Sequence, residues 1–188
     1  GVCAVGRMCS AVGRCENPVG CVSACAGRMC GNDPGPNCGS RTCGTCPSGF
    51  RCAADGASCA VDPSSRWVLT AIDGAVSRTP VGGGSWDIDS SPPDPYLCLT
   101  INGVQQCTEF VPDTFAPVWR RGLFPATTAS ALMSGILAVY ADDDVGTDDP
   151  ICMSGTISFS LAQFAARAPV TVGCGVYGSF TLTLTPAP

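Results

Sequence analysis

Residues 95–107, PYLCLTINGVQQC, contain two runs of mainly apolar residues joined by Asn-Gly. This dipeptide is the strongest two-residue signal for a β-hairpin turn. It predicts that Ile101 pairs with Val104 and, counting outward from the turn, that Cys98 lies opposite Cys107. The cysteine pair falls on a non-hydrogen-bonded position, where the Cα atoms are about 4.5 Å apart, within the range that a disulfide tolerates. We therefore predict a disulfide between Cys98 and Cys107.

Further strands are indicated by runs of alternating apolar residues bounded by Gly, Pro, Asn or Asp. The predicted strands are Trp67–Ile72, Leu97–Ile101, Val104–Phe110, Ile136–Ala141, Thr156–Phe159 and Ser179–Thr185. Several short strands with almost no helical periodicity predict an all-β fold, an antiparallel β-sandwich. Cysteines become sparse after Asp62-Pro63-Ser64-Ser65. We therefore place a linker at 62–65, between an N-terminal region, 1–61, and a sandwich domain, 66–188.

The N-terminal region holds 11 of the 15 cysteines. Such a density is typical of disulfide-stapled proteins that are secreted or displayed at the cell surface. Many glycines and prolines predict loops and short hairpins, which need crosslinks in place of a core. Zinc at Cys43 and Cys46 is an alternative, but a single C-x2-C pair among nine other cysteines favours cystine. Eleven is an odd number, so at least one cysteine is predicted to be free or bonded to another chain. Cys152 and Cys174 remain to pair with each other.

The charged residues exclude several classes of function. All 10 basic residues are arginine, and 15 acidic residues give a net charge of −5, which argues against nucleic acid as a partner. Without histidine or lysine there is no Ser/His/Asp triad, Cys/His pair or Schiff-base lysine, so we predict a protein that is not an enzyme. A carboxylate pair acting on glycosides is the remaining enzymatic alternative.

The surface is predicted to be partly covered, because only 13% of the residues are charged and the mean hydropathy is positive. Self-association into an extracellular assembly would cover it, and a glycosylated or surface-tethered protein is the alternative. The longest apolar stretch, Ala131 to Ala141, is shorter than the roughly 20 residues that a membrane span needs, so no transmembrane segment is predicted. The opening Gly1-Val2-Cys3 contains no targeting pattern, as expected for a processed N-terminus.

Two motifs carry a family resemblance. The first comprises Asp94-Pro95-Tyr96, the hairpin, Thr114 and Pro117-Val118-Trp119, and the second comprises Leu137-Ala138-Val139-Tyr140 followed by Asp142, Asp144, Asp148, Asp149 and Ile151. Over about residues 66–186 the chain resembles the C2 family of calcium-binding β-sandwiches. Cys152 stands where the family usually has glycine. Residues 43–52 resemble, more loosely, the cysteine-rich modules of secreted bacterial proteins.

The acidic residues predict a metal site. Five carboxylates fall within the eight residues 142–149, and the nearest arginines in sequence are Arg121 and Arg167. Hard oxygen ligands in a flexible loop favour Ca²⁺, whereas solvated turns are the alternative. The C2 resemblance implies that two loops meet at one end of the sandwich. Its implied ligands are Asp87, Asp94, Asp142, Asp144 and Asp149, with Asp89, Asp143 and Asp148 as further candidates.

Calcium has two predicted uses. The first is structural: calcium stiffens a secreted structural or adhesive subunit that self-assembles into a fibre or surface layer, as the low charge and the odd cysteine favour. The second is a calcium-dependent module that binds anionic lipid or a surface protein, as many C2 domains do. In that case Ile88 and Val145 are the candidate membrane-contacting loop tips.

Overall fold

The computed structural model describes residues 3–4, 7–9, 13–16, 21–80, 82–87, 90–142 and 149–188, with the side chains of residues 8, 9, 16, 142, 149 and 152–155 excepted. The chain forms two compact units, Gly1–Asp62 and Pro63–Pro188. No helix in the described part of the chain is long and apolar enough to cross a membrane.

The N-terminal unit contains only short strands, which pair as three two-stranded antiparallel sheets among the residues described. These strands are β1 (Met8–Cys9), β2 (Cys15–Glu16), β3 (Gly31–Asn32), β4 (Thr42–Gly44), β5 (Phe50–Cys52) and β6 (Cys59–Val61). The pairs are β1 with β2, β3 with β4, and β5 with β6. The prediction of a loop-dominated, disulfide-rich region is confirmed.

Cystines take the place of an apolar core in this unit. The bridges are Cys3–Cys15, Cys21–Cys38, Cys25–Cys43, Cys30–Cys52 and Cys46–Cys59. Among the described side chains here, the buried hydrophobic ones are Cys30, Cys38 and Val61. Cys43 and Cys46 belong to two different cystines, which excludes the zinc alternative. The five bridges use ten of the eleven cysteines, and the side chain of the eleventh, Cys9, is not among those described.

The C-terminal unit is an antiparallel β-sandwich, as predicted. Its elements are β7 (Arg66–Val76), β8 (Pro95–Ile101), β9 (Val104–Cys107), β10 (Val118–Thr128), α1 (Ala129–Ser134), β11 (Ile136–Asp142), β12 (Asp149–Ile157), α2 (Leu161–Ala166), β13 (Val170–Gly173) and β14 (Gly178–Pro186). Sheet I has the order β10-β7-β14-β13, and sheet II has the order β12-β11-β8-β9.

Side chains that alternate in burial form the core of the sandwich. On β14, Phe180, Leu182 and Leu184 are buried, while the threonines between them are half-buried. Tyr140 of sheet II contacts Phe180 of sheet I edge to face, with ring centroids 5.9 Å apart. Burial of each such side chain stabilises the fold by about 1.5–3 kcal/mol. The two sheets are therefore held together by a continuous apolar layer.

The β8–β9 hairpin has the register that Asn-Gly predicts. Ile101 lies opposite Val104 and Cys98 opposite Cys107. Asn102 and Gly103 both have positive φ, 51° and 77°, as a type I′ turn requires. Cys98 and Cys107 are disulfide-bonded, with their Cα atoms 4.0 Å apart.

Several elements differ from the predictions. Strands β10 and β13 were not predicted, and neither were the two helices. Each helix has six residues, too few for a helical period to show in the sequence. Helix α2 carries a capping box in which Ser160 and Gln163 satisfy each other's backbone N–H groups. Strand β9 ends at Cys107 and not at Phe110, because the Oγ1 of Thr108 accepts the Leu97 N–H and displaces the regular ladder.

Candidate metal site

Three predicted ligand positions come together at one end of sheet II. Strand β11 ends at Asp142, which pairs with Asp149 at the start of β12 and with Pro95 at the start of β8. Asp94 immediately precedes Pro95. Since neighbouring strands lie about 4.8 Å apart, the backbones of these aspartates are carried side by side on three adjacent strands. The register therefore places Asp94, Asp142 and Asp149 at a common edge.

Asp94 is held by the segment that follows β9. Its Oδ1 accepts the backbone N–H of Asp113 at 2.7 Å. The Thr114 N–H donates to the carbonyl of Pro93 at 2.8 Å, and the Val111 N–H donates to that of Pro95 at 3.2 Å. These contacts fix the start of β8 and leave Asp94 half-buried. The carboxylate is thus anchored from outside its own strand.

Asp87 is placed by its neighbour in sequence, Trp86. The indole of Trp86 is buried, and its Nε1–H donates to the carbonyl of Ser77 at 2.9 Å. The Oδ2 of Asp87 accepts a hydrogen bond from the hydroxyl of Ser91 at 2.8 Å, and its carbonyl accepts one from the Ser90 N–H. Asp87 therefore sits at the base of a loop anchored in the apolar core.

The remaining predicted positions are not described. Asp89, Asp143, Asp144, Asp148 and the two loop-tip candidates, Ile88 and Val145, lie outside the described residues. Asp142 and Asp149 are described in their backbone only. Cys174 is disulfide-bonded, while the side chain of its predicted partner, Cys152, is not described. The complete ligand set and the Cys152–Cys174 pairing stay predictions.

The chemistry of the donors fits a hard cation at this end of the sandwich. Carboxylate and backbone oxygens are available there, and the chain has no histidine. Elsewhere among the described residues, the acidic and thiol groups that lie close together are Cys30, Cys46 and Cys59; Cys21, Asp33 and Cys38; and Cys25, Asp33 and Cys43. Every cysteine in these groups is part of a disulfide, so its sulfur is no thiolate ligand.

One residue that positions the site was not predicted from the sequence. Asp113 lies on the segment after β9, and its N–H holds Asp94. Its φ of 52° is one that aspartate adopts more readily than most residues. The sequence Pro112-Asp113-Thr114 indicates only a turn, so its proximity to Asp94 had no local signal.

Comparison with known proteins gives a likeness of fold. No family model and no curated protein matches the chain. Human GIVD cytosolic phospholipase A2, in complex with an inhibitor and terbium chloride, aligns with a TM-score of 0.46 and 14% identity over 67% of this chain and 18% of that one. The two calcium-bound C2 domains of Extended-Synaptotagmin 2 align with a TM-score of 0.47 and 15% identity over 66% and 46%. A structure described as a C2 domain aligns with a TM-score of 0.47 and 10% identity over 66% and 99%. The sandwich is C2-like. The protein spans 18% of the length of the phospholipase chain.

Proposed function

We propose that this protein is a secreted, non-enzymatic calcium-binding module that holds Ca²⁺ between the loops at one end of its sandwich. The observation that supports this most is the register that carries Asp94, Asp142 and Asp149 on three adjacent strands. Carboxylates at such spacing repel one another unless a cation neutralises them. Calcium accepts six to eight oxygens at 2.3–2.6 Å and tolerates irregular geometry, as a loop site requires.

The charge distribution supports a divalent cation. Residues 63–188 contain five arginines and eleven acidic residues, so this part of the chain has a net charge of −6, and five of the acidic residues lie within 142–149. The proposed ligands are Asp87, Asp94, Asp142, Asp144 and Asp149, with Asp89, Asp143 and Asp148 as additional candidates. Binding of Ca²⁺ would remove much of the local repulsion.

The proposed secretion rests on the cystines of the N-terminal unit. A unit whose buried hydrophobic side chains are largely cystine sulfur depends on oxidising surroundings. Extracellular calcium modules bind in the 10⁻⁴ to 10⁻³ M range, which suffices where the ion is plentiful. Weak calcium affinity is therefore what this proposal expects.

The test is calorimetric titration of the full, oxidised chain with CaCl₂ and, separately, MgCl₂. We expect Ca²⁺ binding with a dissociation constant of about 10⁻⁴ to 10⁻³ M and weaker Mg²⁺ binding. The double substitution Asp142→Asn and Asp149→Asn should weaken Ca²⁺ binding at least ~10-fold, because two charged ligands are lost. The matched control is Asp55→Asn, an exposed aspartate of the other unit whose Oδ1 caps a turn and whose replacement keeps that oxygen. No heat of binding at 10 mM CaCl₂, or equal affinity in the double variant, would contradict the proposal.

A second candidate function, self-assembly, is favoured by the outer face of sheet II. Across β8, β9 and β11 the described residues on this face are uncharged: Tyr96, Cys98, Thr100, Gln105, Cys107, Leu137 and Val139. Leu137 is 50% exposed on a central strand. A neutral face can meet a second copy of itself without bringing like charges together. We propose that the calcium-bound protein packs through this face into an extracellular fibre or layer.

Self-assembly is tested by electron microscopy and light scattering of the oxidised protein with Ca²⁺ and with chelator. Leu137→Arg should abolish assembly, whereas Val176→Arg, at a position 82% exposed outside this face, should not. A monodisperse monomer in both conditions would contradict assembly. Calcium-dependent sedimentation of that monomer with phosphatidylserine vesicles would instead support the lipid-binding alternative.

A further inference from the structure

Asp33 is the one charged residue that is buried among the residues the structure describes. It follows β3, and its side chain is fully shielded from solvent. Its Oδ1 accepts the backbone N–H groups of Ala24 and Gly35, both at 2.9 Å. Its Oδ2 has no hydrogen-bond partner, and the Nε of Arg41 approaches it only to 3.9 Å. A buried carboxylate oxygen without a hydrogen bond calls for an explanation.

The carboxylate lies between two cystines. A carboxylate oxygen of Asp33 is within 4.8 Å of the sulfurs of Cys21 and Cys38, and likewise of Cys25 and Cys43. These sulfurs form the bridges Cys21–Cys38 and Cys25–Cys43. The backbone N–H groups of Ala24 and then Gly35 lower the pKa of Asp33, so the group is ionised at neutral pH. Two disulfides therefore share one fixed negative charge.

That charge opposes the chemistry by which disulfides are opened. A thiolate RS⁻ attacks one sulfur of the cystine, a new S–S bond forms to R, and the old S–S bond breaks to release the other cysteine as thiolate. Both the attacking and the released sulfur carry negative charge. A carboxylate within 4.8 Å of the sulfurs raises the energy of both, and it does so strongly because it is buried.

We propose that Asp33 is an electrostatic guard of these two bridges, which slows their opening by anionic thiols such as glutathione. The guard acts on the rate of exchange in the folded protein and on no other bridge of the unit. Its consequence is that Cys21–Cys38 and Cys25–Cys43 persist where thiols are present, for example in contact with cell exudates.

The same unit contains matched reference bridges. In Cys30–Cys52 one cysteine is buried and the other half-buried, as in Cys21–Cys38. Both cysteines of Cys46–Cys59 are half-buried, as are both of Cys25–Cys43. The close group formed by Cys30, Cys46 and Cys59 includes no carboxylate. Differences in rate within each matched pair therefore report charge more than access.

Two substitutions separate charge from packing. Asp33→Asn keeps the Oδ1 acceptor and removes the charge, so we expect the two guarded bridges to open roughly ten times faster under 3-mercaptopropionate. Arg41→Gln removes the guanidinium near Oδ2 and should slow them, because the carboxylate is then less compensated. Loss of packing would accelerate opening in both variants, whereas the guard predicts opposite directions. The rates are measured by quenched alkylation and peptide mass spectrometry, one bridge at a time.

The native protein supplies a test that needs no variant. We expect cysteamine, a cationic thiol, to open the guarded bridges several-fold faster than 3-mercaptopropionate does, relative to the two reference bridges. The proposal is overturned by equal ratios for guarded and reference bridges. It is also overturned if Asp33→Asn and Arg41→Gln shift all bridges together in the same direction.

Discussion

The two units of this chain solve the same stability problem by different means. Gly1–Asp62 has short strands, few buried hydrophobic side chains and five cystines, whereas Pro63–Pro188 has two four-stranded sheets over an aromatic and aliphatic core. A unit of about 60 residues buries too little surface to offset chain entropy without crosslinks, while one twice as long buries enough. The difference predicts that reductants act on the first unit, and core substitutions on the second.

The largest expected effect is that of full reduction. With all disulfides reduced, Gly1–Asp62 should lose its ordered structure, because loss of a single disulfide already costs a small domain about 2–5 kcal/mol. The sandwich should stay folded, since its core is independent of the reduced cystines. Limited proteolysis with mass spectrometry checks this prediction: cleavage should be confined to the first 62 residues. Equal cleavage of both units would contradict the comparison.

A cavity in the sandwich should have the opposite pattern. Leu69 is fully buried on β7, so Leu69→Ala should lower the free energy of unfolding of the sandwich by about 2–5 kcal/mol. Leu161, which is 60% exposed at the start of α2, is the control, and Leu161→Ala should change stability by less than about 0.5 kcal/mol. Urea unfolding followed by tryptophan fluorescence reports on the sandwich, because all three tryptophans lie in it. Similar losses in the two variants would show that burial does not set the cost.

A smaller effect is expected at Gly74 of β7. A Cβ there would come within 2.6 Å of the Tyr140 hydroxyl and 3.0 Å of the Trp119 ring. Gly74→Ala should therefore destabilise the sandwich by about 1–3 kcal/mol, the usual cost of overpacking a core. At Gly122 of β10, a Cβ meets only Val68, at 3.7 Å, so Gly122→Ala should be close to neutral. A neutral Gly74→Ala in the same unfolding assay would mean that the core is looser than its contacts indicate.

The smallest expected effect is a pH dependence confined to the N-terminal unit. The pKa of Asp33 is lowered in the folded state by the N–H groups of Ala24 and Gly35. A lowered pKa contributes stability above the unfolded value, 3.8, and this contribution is lost as the pH falls through the folded value. Unfolding of the oxidised unit, followed by backbone NMR signals, should become easier below about pH 4, and less so in Asp33→Asn. Identical acid profiles for both proteins would contradict the assignment.

The parts of the fold that were predictable follow local rules. The Asn102-Gly103 turn fixes a register by itself, and strict alternation on β14 marks a half-buried strand. Strand β10 escaped prediction because its register shifts interrupt the alternation, and Arg120 takes a φ of 48° at one of them. Short capped helices such as α2 carry their signal in two residues, Ser160 and Gln163, which is too little to distinguish them from a turn.

The candidate site was predictable in composition and only partly in geometry. The acidic run at 142–149 is visible in the sequence, and the pairing of Asp142 with Asp149 and Pro95 gives it a place on sheet II. The role of Asp113 depends on a contact between segments 19 residues apart, which no local pattern encodes. The cystine pairing of the N-terminal unit and the burial of Asp33 likewise depend on the packed structure, since a sequence of cysteines admits many connectivities.

The central claim, that calcium stabilises the sandwich, is tested most directly by thermal unfolding of the oxidised chain in 10 mM CaCl₂ and in chelator, followed by tryptophan fluorescence. For a dissociation constant of 10⁻⁴ to 10⁻³ M, Ca²⁺ should raise the free energy of unfolding by about 1.4–2.7 kcal/mol. We expect the Tm to rise by several degrees with Ca²⁺, and the rise to vanish in the Asp142→Asn, Asp149→Asn variant. An identical Tm in CaCl₂ and in chelator would contradict the account.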